Sequence, residues 1–197
     1  MARVRLALVF LALLLLMPSS AGAACRSRAL GATNNGRLVC GVQLPSETDA
    51  LVTWDFPLAR APSRGWRRWG TQKLIDRVEQ LSLDYGTRFP IGPRLVVGDL
   101  SRPHGGPFGT EYGGVGHASH QNGLDADIYY PRSDGLEIPP VKPSQIDHRR
   151  AQWLLDRAAH GAHFVFIGPH TGLKPPGRQV QYLPSYHDNH MHLRIWP

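Results

Sequence analysis

Apolar residues fall into two rhythms along this chain. Between Thr71 and Gly86, Leu74, Ile75, Val78 and Leu81 recur at helical spacing behind a threonine suited to cap the first turn, which predicts a helix. A second helix is predicted from Ser144, with Ala151, Leu154, Leu155 and Ala158 as its apolar face and Gly161 as its stop. Strands are predicted at Arg94–Leu100 (RLVVGDL), Gly123–Tyr130, His163–Ile167 (HFVFI) and His190–Ile195. The glycine-rich stretch His104–Gly116 reads as a loop placed to serve an active site, and Gly168–Pro184 as a second loop. Cys25 to about Gly70, rich in Gly, Pro, Ser and Asn, reads as an irregular segment with one or two short strands, wrapped on the main domain. Helices and strands mix without a regular βαβ repeat, so the expected class is α+β. The expected organisation is a leader over 1–24, the N-terminal segment over 25–70 and the main domain over 71–197.

Composition places this domain outside the cytoplasm. The first residues have the layout of a secretory signal: Arg3 and Arg5, an apolar run Leu6–Met17, then small residues at Ser20-Ala21-Gly22-Ala23, with cleavage expected after Ala23 or Ala24. The run is too short for a transmembrane helix of about 20 apolar residues, so no membrane span is expected after cleavage. The mature chain is then expected to be exported, to the periplasm or to the extracellular space and cell wall. Loss of Arg3 and Arg5 lowers the formal charge from +7 to +5. A moderately basic exported protein is suited to an anionic polymer or membrane surface, while export and the lack of a long basic run argue against nucleic acid. The only two cysteines, Cys25 and Cys40, are suited to a disulfide worth about 3 kcal/mol by loop entropy. The alternative, lipidation of Cys25, is opposed by Gly22, where such signals carry a large aliphatic residue.

The chemistry concentrates in two strands. Side chains alternate across a strand, so Asp125, Asp127 and Tyr129 share one face of Leu124–Tyr130, and His190, His192 and Arg194 share one face of HMHLRI. Each strand thus buries an apolar face and presents a row of metal ligands and acid–base groups. Hydrolytic zinc sites keep three N/O protein ligands and an open position. His120, Asp127 and one histidine of His190-Met191-His192 supply such a set, and the other histidine is left to take a proton or steady an oxyanion.

The motifs GHASHQNGLDADIYY and HDNHMHLRI resemble the LAS superfamily of zinc peptidases, which includes lysostaphin-type endopeptidases, D-alanyl-D-alanine metallopeptidases and the hedgehog signalling domain. Within that group they are most similar to the penicillin-insensitive murein endopeptidases. The resemblance runs from about Trp66 to Ile195, with its specific motifs in Leu95–Tyr130 and His187–Arg194. It implies a small antiparallel sheet carrying the zinc site, flanked by helices and long loops. It implies His120, Asp127 and His192 as zinc ligands and His190 as the catalytic histidine. His117 and His187 are implied beside the metal, His117 as an alternative ligand and His187 as a second catalytic group. Asp125 is expected to support the ligands by hydrogen bonding.

The activity implied is metal-assisted hydrolysis of the D-alanyl–meso-diaminopimelyl cross-link in peptidoglycan stem peptides. No serine nucleophile takes part, so a β-lactam has nothing to acylate. The free carboxylates of such a substrate need cations, for which Arg102 and Arg194 are the candidates. The same site would also suit a D,D-carboxypeptidase or an L,D-peptidase, and a wall-binding module with a structural metal is the reading from another class.

Overall fold

The structure is a computed structural model that describes residues 25–112, 117–183 and 186–197. The expected leader lies outside these described residues. A hairpin of β1 (Arg28–Ala32) and β2 (Asn35–Val39) opens the chain, and the short strands β3 (Val42–Gln43) and β5 (Trp69–Gly70) pair with each other. The disulfide forms between Cys25 and Cys40, whose Cα atoms are 5.9 Å apart, and it closes the base of the hairpin.

The main sheet is built from β4 (Leu51–Thr53), β6 (Leu95–Val97), β7 (Asp125–Tyr129), β8 (Ala162–Ile167), β9 (Val180–Tyr182) and β10 (His190–Ile195). Their order across the sheet is β4-β6-β7-β10-β8-β9. The fold is therefore α+β, and its sheet is mixed where a wholly antiparallel one was expected. The four central strands are antiparallel, whereas β4 joins β6 and β9 joins β8 in parallel. Parallel neighbours need a long crossover. The helix α1 (Gln72–Arg88) lies within the first and the segment 168–179 forms the second. Leu51–Thr53 thus belongs to the main sheet, and a strand lies inside the expected Gly168–Pro184 loop.

One face of the sheet is dry. Ala126, Ile128, Val165, Ile167, Met191 and Leu193 join Leu74, Ile75, Val78, Leu81 and Tyr85 of α1 in a single buried cluster. The second helix, α2 (His148–Ala159), adds Ala151, Leu154, Leu155 and Ala158 to it. Arg77 of α1 ties the helices together by donating from Nη2 to the carbonyls of Arg157, Ala158 and His160, which lack intrahelical partners.

Local chemistry explains the boundaries. Thr71 caps α1, its hydroxyl accepting from the Leu74 N–H at 3.2 Å. The second helix begins four residues later than Ser144 because Ile146 is extended and bridges to Arg132. The cap is Asp147, which accepts from the Arg150 N–H at 3.0 Å. Strand β6 stops at Gly98, where an added Cβ would lie 2.9 Å from the Tyr129 ring and 3.2 Å from the Asp127 Cβ. Glycine there lets the chain press against β7, donating from the Gly98 N–H to the Asp127 carbonyl at 2.8 Å.

Leu193 is fully buried on the helix side of β10, between His192 and Arg194. Leu193→Ala is expected to cost about 2–5 kcal/mol, measured as a lower midpoint in urea denaturation followed by circular dichroism.

Candidate metal centre

The polar face of the sheet is set by the pairing of β7 with β10. Register places His190 opposite Tyr129, His192 opposite Asp127 and Arg194 opposite Asp125. Opposed residues of an antiparallel pair share a face, so both rows of candidate ligands meet. His120 arrives from the loop before β7, fully buried, with a left-handed backbone of φ 66° that is uncommon for a residue other than glycine. Its N–H donates to Asp125 Oδ2 at 3.0 Å, which holds that turn on the strand.

Three donor atoms converge. His120 Nε2 and His192 Nδ1 are 3.2 Å apart, His192 Nδ1 is 3.1 Å from Asp127 Oδ1, and His120 Nε2 is 3.4 Å from the same oxygen. Ligands on a tetrahedral zinc ion at 2.0–2.1 Å are spaced by about 3.3 Å. The triangle therefore fits such an ion in its spacing and in its two imidazoles and one carboxylate.

The outer hydrogen bonds set the tautomers this requires. His120 Nδ1 faces the Leu100 carbonyl at 3.2 Å, so Nδ1 carries the proton and Nε2 is bare. His192 Nε2 donates to Asp125 Oδ1 at 3.1 Å, which turns Nδ1 toward Asp127. Asp125 in turn accepts from Arg194 Nε at 2.6 Å. Such partners fix ring orientation in metal sites.

His117, half-buried, joins the cluster through the other oxygen of Asp127. Its Nε2 is 2.9 Å from Asp127 Oδ2 and 3.3 Å from Asp99 Oδ2. His117, His120 and Asp127 also form a group whose ligand atoms lie within 4.8 Å of one another, so either His117 or His192 can complete a set of three. His190 stands at the edge of the triangle, with Nε2 buried and, among the described residues, without a hydrogen bond, 3.6 Å from Asp127 Oδ1. The His187 ring lies 5.0 Å from that of His190, centre to centre.

These groups open into a cavity of about 930 Å³, lined among others by His117, Asp127, His187, His190, His192 and Arg194. Phe56, Val141, Leu183 and Tyr186 give it an exposed apolar rim. Arg102 donates to the Gly105 carbonyl from Nε and Nη2 and lies over the Tyr112 ring. Three further contributors had little to announce them in sequence. Asp99 sits just past a strand that reads as purely structural, Leu100 acts through its carbonyl, and Asn189 lies unremarked inside HDNHMH.

Burial and charge pull the titrations apart. Burial holds the imidazoles of His120 and His190 below their ordinary value, His190 at about 4, so both are neutral near pH 7. Burial opposes charge on His117 and His192 as well. The Asp127 and Asp99 carboxylates outweigh it at His117 and push it up to about 10, and Asp125 with Asp127 push His192 to about 9. Burial would raise Asp127, but the surrounding imidazoles, His117 first, hold it well below the carboxylate range.

A family model described as penicillin-insensitive murein endopeptidase matches residues 29–161 of this chain. The chain belongs to that family. Curated proteins of the same name are 32% identical over 122 residues in Pectobacterium atrosepticum and in Yersinia enterocolitica, covering 61% of this chain. One from Salmonella paratyphi B is 30% identical over 139 residues, or 71% of this chain. The matches span 38%, 39% and 43% of those relatives, so the chain covers about two-fifths of their length. The family match includes His117, His120, Asp125 and Asp127 and ends before β10. For this family member, His190 and His192 therefore join the site through strand register.

Two outcomes follow for the purified protein. Asp125→Asn is expected to weaken binding of a divalent metal at this site about 10–100-fold, read by chelator competition. In metal-stripped protein, the raised values at His117 and His192 contribute stability that is complete below about pH 6.5 and lost as pH rises toward 9 and 10. The lowered values at His120 and His190 act oppositely, and stability falls as pH drops below about 6.5, for His190 toward 4. Melting temperatures of that form across pH 4–10 are expected to peak near about pH 6.5.

Proposed function

We propose that this chain is an exported zinc metallopeptidase that hydrolyses peptide cross-links of the D-alanyl–meso-diaminopimelyl type in bacterial peptidoglycan. The observation that carries this reading is the triangle of His120 Nε2, His192 Nδ1 and Asp127 Oδ1, with the buried, bare Nε2 of His190 beside it. His120, Asp127 and His192 hold the metal, and His117 stays on the second oxygen of Asp127 as its alternative. A zinc ion held by these residues would supply Lewis acidity toward a scissile carbonyl and toward water, whose pKa it would lower toward about 7.

The chain's own groups do the rest. His190, neutral by burial, accepts a proton at Nε2 and later returns one to the leaving amine. His187, next along the cavity wall, faces the reacting centre from the side of His190. Arg194 lines the cavity with its Nε anchored on Asp125, and it offers a fixed positive charge to a substrate carboxylate. Phe166 and Tyr129 wall the same space and limit water around these groups. The scheme uses no serine, so a β-lactam has no nucleophile to acylate. The Cys25–Cys40 disulfide supports export, because such bonds persist in oxidising compartments. Among the described residues no helix is long and apolar enough to cross a membrane.

The test is digestion of purified sacculi followed by mass spectrometry of the muropeptides. Cross-linked dimers are expected to disappear, and chelation is expected to stop this. His190→Ala is expected to keep its zinc and lose about 10²–10⁴-fold in rate. Loss of terminal D-alanine with dimers intact would make the protein a carboxypeptidase instead. Digestion that survives both chelation and His190→Ala would overturn the metal-dependent mechanism.

A further inference from the structure

The base proposed above works through one nitrogen of His190, so the position of the ring's other proton matters. His190 Nδ1 is 2.7 Å from the carboxamide oxygen Oδ1 of the preceding residue, Asn189. A carboxamide oxygen only accepts, so this bond exists only when Nδ1 carries the proton. In a neutral ring the lone pair is then on Nε2, the buried atom without a partner among the described residues.

A competing arrangement is built into the same site. Nε2 is 3.6 Å from Asp127 Oδ1, and a carboxylate favours a proton on the nitrogen that faces it. The other groups around the ring are His187 at 5.0 Å, Tyr129 at 5.7 Å and His117 at 6.5 Å between ring centres. Among the described residues, only Asn189 meets Nδ1. Its backbone is fixed independently, because the Tyr130 N–H donates to the Asn189 carbonyl at 3.1 Å. The side chain lines the cavity, and its Nδ2 has no partner among the described residues.

We propose that Asn189 is a positioning residue: it holds His190 in the tautomer protonated on Nδ1 and so keeps Nε2 free to act on substrate. The assignment rests on the zinc peptidase reading for its consequence in catalysis, but the tautomer itself is observable without turnover. The side chain is only partly buried and its one hydrogen bond among the described residues is to His190, so truncation leaves the β10 ladder intact.

The test compares zinc-loaded wild type, Asn189→Ala and Asn189→Asp by nitrogen-15 NMR of the His190 side chain and by steady-state kinetics. Wild type is expected to show the Nδ1–H form. Asn189→Ala is expected to shift the ring toward Nε2–H and to lower kcat about 10–100-fold, with KM and zinc content unchanged. Asn189→Asp, which accepts the same bond, is expected to restore the Nδ1–H form and most of kcat. An Nδ1–H ring that persists in Asn189→Ala, or equal losses in both variants with an unchanged tautomer, would overturn the proposal. A wild type that shows the Nδ1–H signal and cuts no cross-links would sink the functional reading and leave the tautomer assignment standing.

Discussion

The pairing of β7 with β10 is the constraint on which the site depends. Because side chains alternate with a period of two, a slip of one residue would exchange the two faces of a strand. His190, His192 and Arg194 would then point into the helices, and Met191 and Leu193 would line the cavity. Ala126, Ile128, Met191 and Leu193 prevent this, since each is fully buried against the helical layer. Hydrophobic burial on one side of the sheet thus sets ligand geometry on the other. The loop ligand is held to the same frame by the His120 N–H on Asp125 and by the Leu100 carbonyl.

Placing three carboxylates together under this sheet face is costly unless each is compensated. Arg67 is fully buried and holds Asp99 through Nε at 2.6 Å and through Nη2. Arg194 and His192 hold Asp125. Among the described residues the Asp127 carboxylate pairs with imidazoles and with no arginine, which makes it the carboxylate whose charge is available to a cation. Without a metal, protons on His117 and His192 provide that compensation. Binding a dication would release the proton on His192 Nδ1, as metal binding generally does at ligands that are protonated beforehand.

Much of this was readable in the sequence where a local rule acts alone. Thr71 caps its helix, the apolar faces of both helices are those the spacing shows, and Asp127 and His192 fall on one face by simple alternation. What escaped the sequence depended on distant partners. The parallel edge strands exist because β4 and β9 find β6 and β8 through long crossovers, and neither strand is long enough to announce itself. Ser144 reads as a better helix start than Asp147 until the bridge between Ile146 and Arg132 is known. Leu100 could not be found by any reading of side-chain chemistry, because its part is played by a backbone carbonyl.

The two possible sets of three differ in which histidine accompanies His120 and Asp127, and Asp127 itself separates them. Its Oδ2 faces His117, whereas its Oδ1 faces His120, His192 and His190. A cation at the Oδ1 triangle leaves the bond between His117 and Oδ2 in place and takes over only the His192 Nδ1 position. A cation bound by His117 Nε2 would replace that atom's contacts with both Asp127 Oδ2 and Asp99 Oδ2. It would also leave His192 Nδ1 facing a carboxylate already committed to the metal. The triangle with His192 keeps more of the existing hydrogen bonds, and it alone sets the bare Nε2 of His190 beside the same oxygen.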